Sequence, residues 1–78
     1  MFHINVWLTV NDPANAARVG ELLDQCRRMS LQEPGCERYE VFQSEADPAK
    51  YLLVETWTSR EHWETHRGAE AEIGRAHV

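Results

Sequence analysis

Apolar and polar positions alternate at the start of the chain. The even positions from 2 to 10 are all apolar, and the odd positions between them hold His3, Asn5, Trp7 and Thr9. A period of two is typical of a β-strand with one fully apolar face. We therefore predict a strand over residues 2–10, with Asn5 and Trp7 together on the face opposite the apolar one.

A helix follows this strand. Asn11-Asp12-Pro13 ends the strand and starts the helix, because Asn or Asp caps a helix N-terminus and proline suits the first turn. Apolar residues then recur at helical spacing to about Ser30. We expect this set to face the core: Ala16, Val19, Leu22, Leu23, Cys26 and Met29.

Two further strands are predicted after the turn signal Pro34-Gly35. The first runs over about residues 36–44, with Tyr39 and Val41 on one face. A hairpin loop at residues 45–49 leads to the second, residues 51–57. Its apolar middle, Leu52-Leu53-Val54, is typical of a central strand that is covered on both faces.

A second helix is predicted over residues 60–71, with Thr58 or Ser59 as its cap. The order β-α-β-β-α is α+β and lacks only the last strand of the ferredoxin-like pattern. Residues 72–78 back-translate as GAG ATC GGA AGA GCA CAC GTC, which resembles a common sequencing adapter. We expect one domain over residues 1–71, missing its fourth strand, and a non-native tail over residues 72–78.

Composition narrows the classes of partner. The 78 residues carry a net charge of −5, and the longest basic run is Arg27-Arg28, so we expect no nucleic-acid binding. The chain has neither an apolar run of membrane-spanning length nor a signal peptide at its start, so we expect no membrane partner. Cys26 and Cys36 are expected to be reduced buried thiols, which favours the cytoplasm; a disulfide is the alternative.

Three motifs resemble those of the antibiotic biosynthesis monooxygenase (ABM) family. The segment Glu33-Pro34-Gly35-Cys36, followed by Tyr39 and Val41, resembles the family's EPGC-x-x-Y-x-V entry to strand two. Residues 51–57 resemble its third strand, and residues 57–66 resemble its W-x-S-x-E-x-aromatic-x-x-H junction between strand and helix. The likeness covers nearly all of residues 1–71 and is more specific to the family than to a substrate.

The resemblance implies a homodimer of ferredoxin-like subunits whose sheets face each other as an α/β barrel. It also implies a pocket between sheet and helices in each subunit. Some family members insert oxygen from O₂ into quinols or polyphenols without metal, flavin or haem. We therefore expect a monooxygenase that needs no cofactor and acts on a quinol, a polyphenol or a similar aromatic small molecule. Such chemistry needs a base and a dry cavity.

His66 and Asn5 are the candidate catalytic residues. His66 occupies the family's helix-two histidine, and an imidazole with an ordinary pKa of about 6.5 suits proton transfer. The alternative is a structural histidine bonded to backbone or lining a subunit interface. Asn5 can hydrogen-bond a substrate oxygen; its alternative is a solvent-facing strand residue.

Four aromatic residues are candidates for the substrate pocket: Trp7, Tyr39, Trp57 and Trp63. The alternative is packing at the dimer interface for Trp7, packing in the sheet for Tyr39, and packing in the core for Trp57 and Trp63. His62 and His66 stand four residues apart on one helix face, but two ligands without a third make a poor metal site, so none is predicted.

Two other functions stay open. A non-catalytic module for small-molecule binding or dimerisation is the main alternative to the enzyme. Haem degradation is the other; that branch of the family carries a helix-two Trp where this chain has His66, so its motif is not met. Turnover of a quinol under O₂, a haem absorption band, or binding without turnover would separate the three.

Overall fold

The computed structural model describes residues 1–66, which fold as a three-stranded antiparallel sheet with helices packed on one face. The elements are β1 (Phe2–Thr9), a 3₁₀ turn (Pro13–Asn15), α1 (Ala16–Ser30), β2 (Cys36–Gln43), β3 (Lys50–Trp57) and α2, which begins at residue 60 and continues to residue 66. This order confirms the predicted α+β, β-α-β-β-α arrangement. The fourth strand and the 72–78 tail of the sequence-based prediction lie outside the described residues.

The strand order β1-β3-β2 makes β3 the central strand. Phe2 pairs with Trp57 at one end of the β1–β3 ladder, and Thr9 pairs with Lys50 at the other. The period of two in β1 is confirmed, because its even positions are half-buried and its odd positions are exposed. The two faces of the sheet therefore differ in chemistry along the whole strand.

One face of the sheet lies under the helices, and the other is not covered by any described element. We call them the helix face and the open face. The helix face carries Ile4, Tyr39, Tyr51, Leu53, Glu55 and Trp57. The open face carries Asn5, Trp7, Glu40, Phe42, Leu52 and Val54.

The prediction that β3 is covered on both faces is wrong for residues 1–66. Leu53 is fully buried, but Leu52 and Val54 are only half-buried, since both helices pack on the side of Leu53. A run of apolar residues identified the central strand, but it did not distinguish a covered face from an exposed apolar one. The open face also exposes 75% of Trp7 and 48% of Phe42.

The start of α1 differs slightly from the prediction. Asp12 is the cap, and its Oδ1 accepts the backbone N–H of Ala14 at 3.0 Å. It caps the 3₁₀ turn that contains Pro13, and α-helical hydrogen bonding begins only at Ala16. The local chemistry of Asp-Pro was therefore predicted correctly, and the type of the first turn was not.

The predicted buried face of α1 contained one residue that is exposed and missed one that is buried. Met29 is 69% exposed, so its assignment to the core is wrong, while Ser30 is 1% exposed. At about 100° per residue, Ser30 lies in line with Leu23 and Cys26, and Met29 lies about a quarter-turn away from that line. Leu22 is displaced in the same way and is only half-buried.

Glycines allow two close approaches. Tyr51 Oη donates to the carbonyl of Ala16 at 2.8 Å, and a Cβ on Gly20 would lie 2.6 Å from the same Oη. Gly35 adopts φ 87°, as the turn before β2 requires, and a Cβ there would collide with the His62 ring. These contacts fix how α1 and α2 sit on the sheet.

No helix within residues 1–66 combines the length and apolar character needed to cross a membrane.

Candidate functional site

His66 lies in α2 and is enclosed between that helix, α1 and the sheet. Its side chain is 1% exposed. The ring nitrogen Nδ1 lies 3.3 Å from Ser30 Oγ at the end of α1 and 3.4 Å from Glu33 Oε2 in the following turn. One imidazole nitrogen therefore joins α2 to α1 and to the loop that precedes β2.

The hydrogen bonds around Ser30 indicate which His66 nitrogen carries the proton. Ser30 Oγ donates its only proton to the carbonyl of Cys26 at 2.6 Å, so toward Nδ1 it acts as an acceptor. The Glu33 carboxylate on the same nitrogen also accepts. Both contacts favour a proton on Nδ1, which leaves the basic lone pair of neutral His66 on Nε2.

Two of the predicted pocket aromatics form the walls around His66. The Trp57 ring lies 4.9 Å from the imidazole in a tilted arrangement, and the Tyr39 ring lies 5.5 Å away, edge-on. Trp63 is half-buried in the same helix and packs on Phe2, with ring centroids 5.3 Å apart. The structure therefore places Tyr39, Trp57, Trp63 and His66 on the helix side of the sheet.

Asn5 and Trp7 lie on the other side of the sheet. Asn5 pairs with Val54 and Trp7 with Leu52, so both side chains belong to the open face. Both are exposed. The sheet separates them from His66, and within one subunit the predicted catalytic pair is not brought together.

Glu55 is a buried acid that we did not identify from the sequence. It is 1% exposed and accepts the indole N–H of Trp57 at 2.9 Å. The signal was available in the strand period, because Glu55 shares parity with Tyr51, Leu53 and Trp57. A carboxylate thus lies on the helix face, directly opposite Tyr39 in the β2–β3 ladder.

Cys26 was expected to be a buried apolar thiol, but it lies among polar groups. Its Sγ is 3.5 Å from Tyr39 Oη and 3.8 Å from Ser30 Oγ. Burial raises the pKa of the Cys26 thiol, but its contacts with His66, Tyr39 and Ser30 lower it by more, so the pKa lies below its usual value. The thiol of Cys26 is therefore more acidic than an ordinary cysteine thiol.

Cys36 has the opposite environment. Burial and the nearby carboxylates of Glu55 and Glu33 raise the pKa of its thiol to about 11. Both cysteines are free, so the disulfide alternative is wrong; Cys26 is buried as expected, and Cys36 is only half-buried. The chain thus holds one acidified thiol and one that resists ionisation.

His62 and His66 do not form a common site. His62 is exposed at the start of α2, where its Nδ1 lies 2.7 Å from Ser59 Oγ, while His66 is buried one turn later. Within residues 1–66, no three His, Cys, Asp or Glu side chains are grouped as metal ligands.

Two surface grooves flank the sheet. One, of about 480 Å³, lies on the open face between Trp7, Phe42 and Leu52, with Lys50 at its rim. The other, of about 620 Å³, lies beside α1 near Gly20 and Arg27. His66 lines neither groove.

Comparison with known proteins agrees with this architecture. A solved antibiotic biosynthesis monooxygenase shares 23% identity at a TM-score of 0.85, covering 99% of this chain and 85% of that one. A Bacteroides thetaiotaomicron protein of unknown function shares 24% identity at 0.81, covering 97% and 86%. A Pseudomonas aeruginosa protein shares 21% identity, also at 0.81, covering 95% and 76%.

These identities are low, so the solved structures show a shared fold. A search of curated proteins found no match. The sequence model of the antibiotic biosynthesis monooxygenase family, however, matches residues 1–72, which is nearly the whole chain. The chain therefore belongs to the antibiotic biosynthesis monooxygenase family.

Proposed function

We propose that the protein is a monooxygenase that inserts one oxygen atom of O₂ into a quinol, a polyphenol or a similar aromatic small molecule. The observation that carries the proposal is the assembly of Glu33, Ser30 and His66 beside the rings of Trp57 and Tyr39. A carboxylate that holds one imidazole nitrogen raises the basicity of the other and fixes the ring orientation. Aromatic walls suit a flat substrate.

The chemistry follows from the base. His66 removes the phenolic proton, and the resulting phenolate gives one electron to O₂. The phenoxyl radical and superoxide combine to form a carbon–oxygen bond; the O–O bond then breaks as the ring C–H proton leaves. One oxygen stays on the ring as a quinone carbonyl, and the other leaves as water. The substrate supplies all the electrons, so the reaction is expected to need no metal, flavin or haem.

The buried imidazole favours a second candidate. His66, 1% exposed and tied to Ser30 and Glu33, has the contacts expected of a structural histidine. In a non-catalytic module that binds a small aromatic molecule or serves dimerisation, His66 would need only these structural contacts. The two candidates differ in turnover: the enzyme consumes O₂ with a quinol, and the module binds the quinol without consuming O₂.

The test compares His66→Ala with His62→Ala, its matched control on the same helix. We expect His66→Ala to lower quinol-dependent O₂ consumption by about tenfold or more, because general-base catalysis contributes at least that much. His62 is exposed, and its loss should leave the rate unchanged. Circular dichroism would verify that both variants fold. Wild-type turnover in folded His66→Ala would leave His66 a structural role.

Treatment with a chelator tests the cofactor expectation. Because the substrate reduces O₂ directly, dialysis against EDTA should leave quinol oxidation unchanged. A loss of activity that one metal restores would contradict the proposal.

We further propose that the protein works in the cytoplasm as a homodimer. The free thiols of Cys26 and Cys36 support a reducing compartment. The exposed Trp7 and Phe42 of the open face support a second copy as the cover for that face.

A further inference from the structure

We propose that Glu55 is a positioning residue for His66 and acts on the imidazole through the indole of Trp57. The buried polar residues within 1–66 include one carboxylic acid, Glu55, and one histidine, His66. Trp57 contacts both of them. The catalytic meaning of this role rests on the proposed function, but the coupling of the three side chains is a property of the folded subunit.

The geometry begins in β3. Glu55 and Trp57 are two residues apart, so their side chains lie next to each other on the helix face. Glu55 Oε1 accepts the indole N–H of Trp57 at 2.9 Å. The Trp57 ring lies 4.9 Å from the imidazole of His66, and the two planes are 33° apart. The acid therefore holds one edge of the indole while the ring itself lies against the histidine.

The charges in this arrangement favour a proton on His66. An aromatic ring attracts a cation that lies within about 6 Å of its centroid, and an imidazolium at His66 meets that condition. A carboxylate on the indole N–H makes the ring a better partner for a cation, because linked polar groups polarise one another. The negative charge of Glu55 also acts directly, since buried charges are screened less than exposed ones.

The other groups that face His66 come from α1, the turn after it and β2. Ser30 Oγ lies 3.3 Å and Glu33 Oε2 lies 3.4 Å from Nδ1. Tyr39 lies edge-on to the ring and directs its hydroxyl toward Cys26, at 3.5 Å. Glu33 is therefore the second carboxylate that favours the imidazolium.

The two carboxylates differ in exposure. The Glu33 side chain is 42% exposed, so water and salt weaken its effect, whereas Glu55 is 1% exposed. They also act on different parts of the ring: Glu33 meets one nitrogen, and Glu55 acts through the indole beside the ring. We infer that Glu55 sets the orientation and the base strength of His66 together.

This role has a consequence for the proposed reaction. His66 becomes positive when it takes the phenolic proton, and Glu55 and Trp57 stabilise that state. Removal of the Glu55 charge leaves a weaker base, which takes the proton more slowly. The binding of a neutral quinol does not use that charge, so the effect belongs to kcat and not to KM.

The first experiment follows the His66 ring by NMR during a pH titration of the full chain. Glu55→Gln removes the charge but keeps an oxygen that accepts the indole N–H. We expect the titration midpoint of His66 to fall by about 0.5–1 pH unit. Glu61→Gln removes an exposed carboxylate from the same helix as His66 and should leave the midpoint unchanged. An unchanged midpoint in folded Glu55→Gln would overturn the proposal.

A measurement on the wild type covers the case in which Glu55→Gln does not fold. The indole N–H of Trp57 and the carboxyl carbon of Glu55 should both shift at the midpoint of His66. The indole N–H of Trp7, on the open face, is the internal reference and should not follow it. The proposal fails if Trp57 and Glu55 do not share the midpoint of His66, or if Glu55 gives the carboxyl signal of a protonated acid at pH 7.

Kinetics separate this role from the proposed function. Glu55→Gln should lower kcat for quinol-dependent O₂ consumption by about threefold at pH 8 and leave KM unchanged, because only the base is weaker. Wild-type kcat in this variant would refute the positioning role. No turnover in the wild type would contradict the proposed function alone, since the NMR midpoints test the coupling without a substrate.

Discussion

Trp57 and Glu55 form a buried polar pair in the middle of an apolar layer. The indole N–H of Trp57 reaches Glu55 Oε1 at 2.9 Å, and both side chains are almost fully buried. The ring of Trp57 also stacks near His66. Loss of this indole would remove packing area, a hydrogen bond and one wall of the candidate site together.

We expect Trp57→Phe to lower the free energy of unfolding by about 2–4 kcal/mol, because a cavity opens and Glu55 loses its donor. Trp7→Phe is the matched control. Trp7 is 75% exposed on the open face, and its substitution should change the stability of the folded subunit by less than about 0.5 kcal/mol. Urea titration followed by circular dichroism measures both. Similar losses in the two variants would contradict the assignment of the faces.

Cys36 provides a prediction about pH. Burial and the carboxylates of Glu55 and Glu33 raise the pKa of its thiol to about 11, so the reactive thiolate appears only as the pH approaches that value. In Cys26→Ser, alkylation by iodoacetamide should be very slow at pH 8 and rise about tenfold per pH unit up to pH 10. A rate that levels off near pH 9 would show an ordinary thiol.

At the scale of elements, the docking of α1 depends on the absence of a side chain at Gly20. Alanine in a helix interior is normally about 1 kcal/mol more favourable than glycine. Here a Cβ would lie 2.6 Å from Tyr51 Oη, which is held by its bond to the Ala16 carbonyl. At residue 20, the contact with Tyr51 of β3 therefore favours glycine, whereas helix propensity favours alanine.

We expect Gly20→Ala to destabilise the protein, and we expect the same substitution to be stabilising in a Tyr51→Phe background. Removing the hydroxyl removes the clash, so that helix propensity then dominates. A double-mutant cycle by thermal or urea unfolding measures the coupling. If Gly20→Ala stabilised both backgrounds equally, α1 would not be held at this distance by Tyr51.

Elements were easier to predict than the neighbours of a side chain. The strand predicted over residues 2–10 is observed and ends only one residue earlier, at Thr9. It could be predicted because a period of two is a local property of the chain. Met29 was assigned to the core in place of Ser30, since hydropathy does not reveal that a serine hydroxyl will find a carbonyl and an imidazole. Whether a polar side chain is buried depends on hydrogen-bond partners that can lie far away in the sequence.

The same distinction applies to the candidate site. The helix-two histidine and its aromatic neighbours were identified through motif resemblance, and the structure brings His66, Trp57 and Tyr39 together. The setting of Cys26 could not be predicted, because its polar contacts come from β2 and α2. The separation of Asn5 from His66 could not be predicted either, because it depends on which side of the sheet the helices cover.

At the scale of the whole molecule, the proposed assembly depends on the open face. We propose that a second copy covers it, and we predict that Trp7→Lys converts the dimer to a monomer. A lysine in place of a 75% exposed indole would place a charge inside the interface. Size-exclusion chromatography with light scattering measures the mass. Glu61→Lys in α2 is the charge control and should leave the mass unchanged.

The distribution of the tryptophans has an optical consequence. Of the three, Trp7 is 75% exposed, Trp57 is fully buried and Trp63 is half-buried. The emission of an isolated subunit should therefore contain a red-shifted component that acrylamide quenches readily and a blue-shifted component that it barely reaches. Because the quenchable indole lies on the open face, anything that settles there would protect it, and intrinsic fluorescence would report the event without a label.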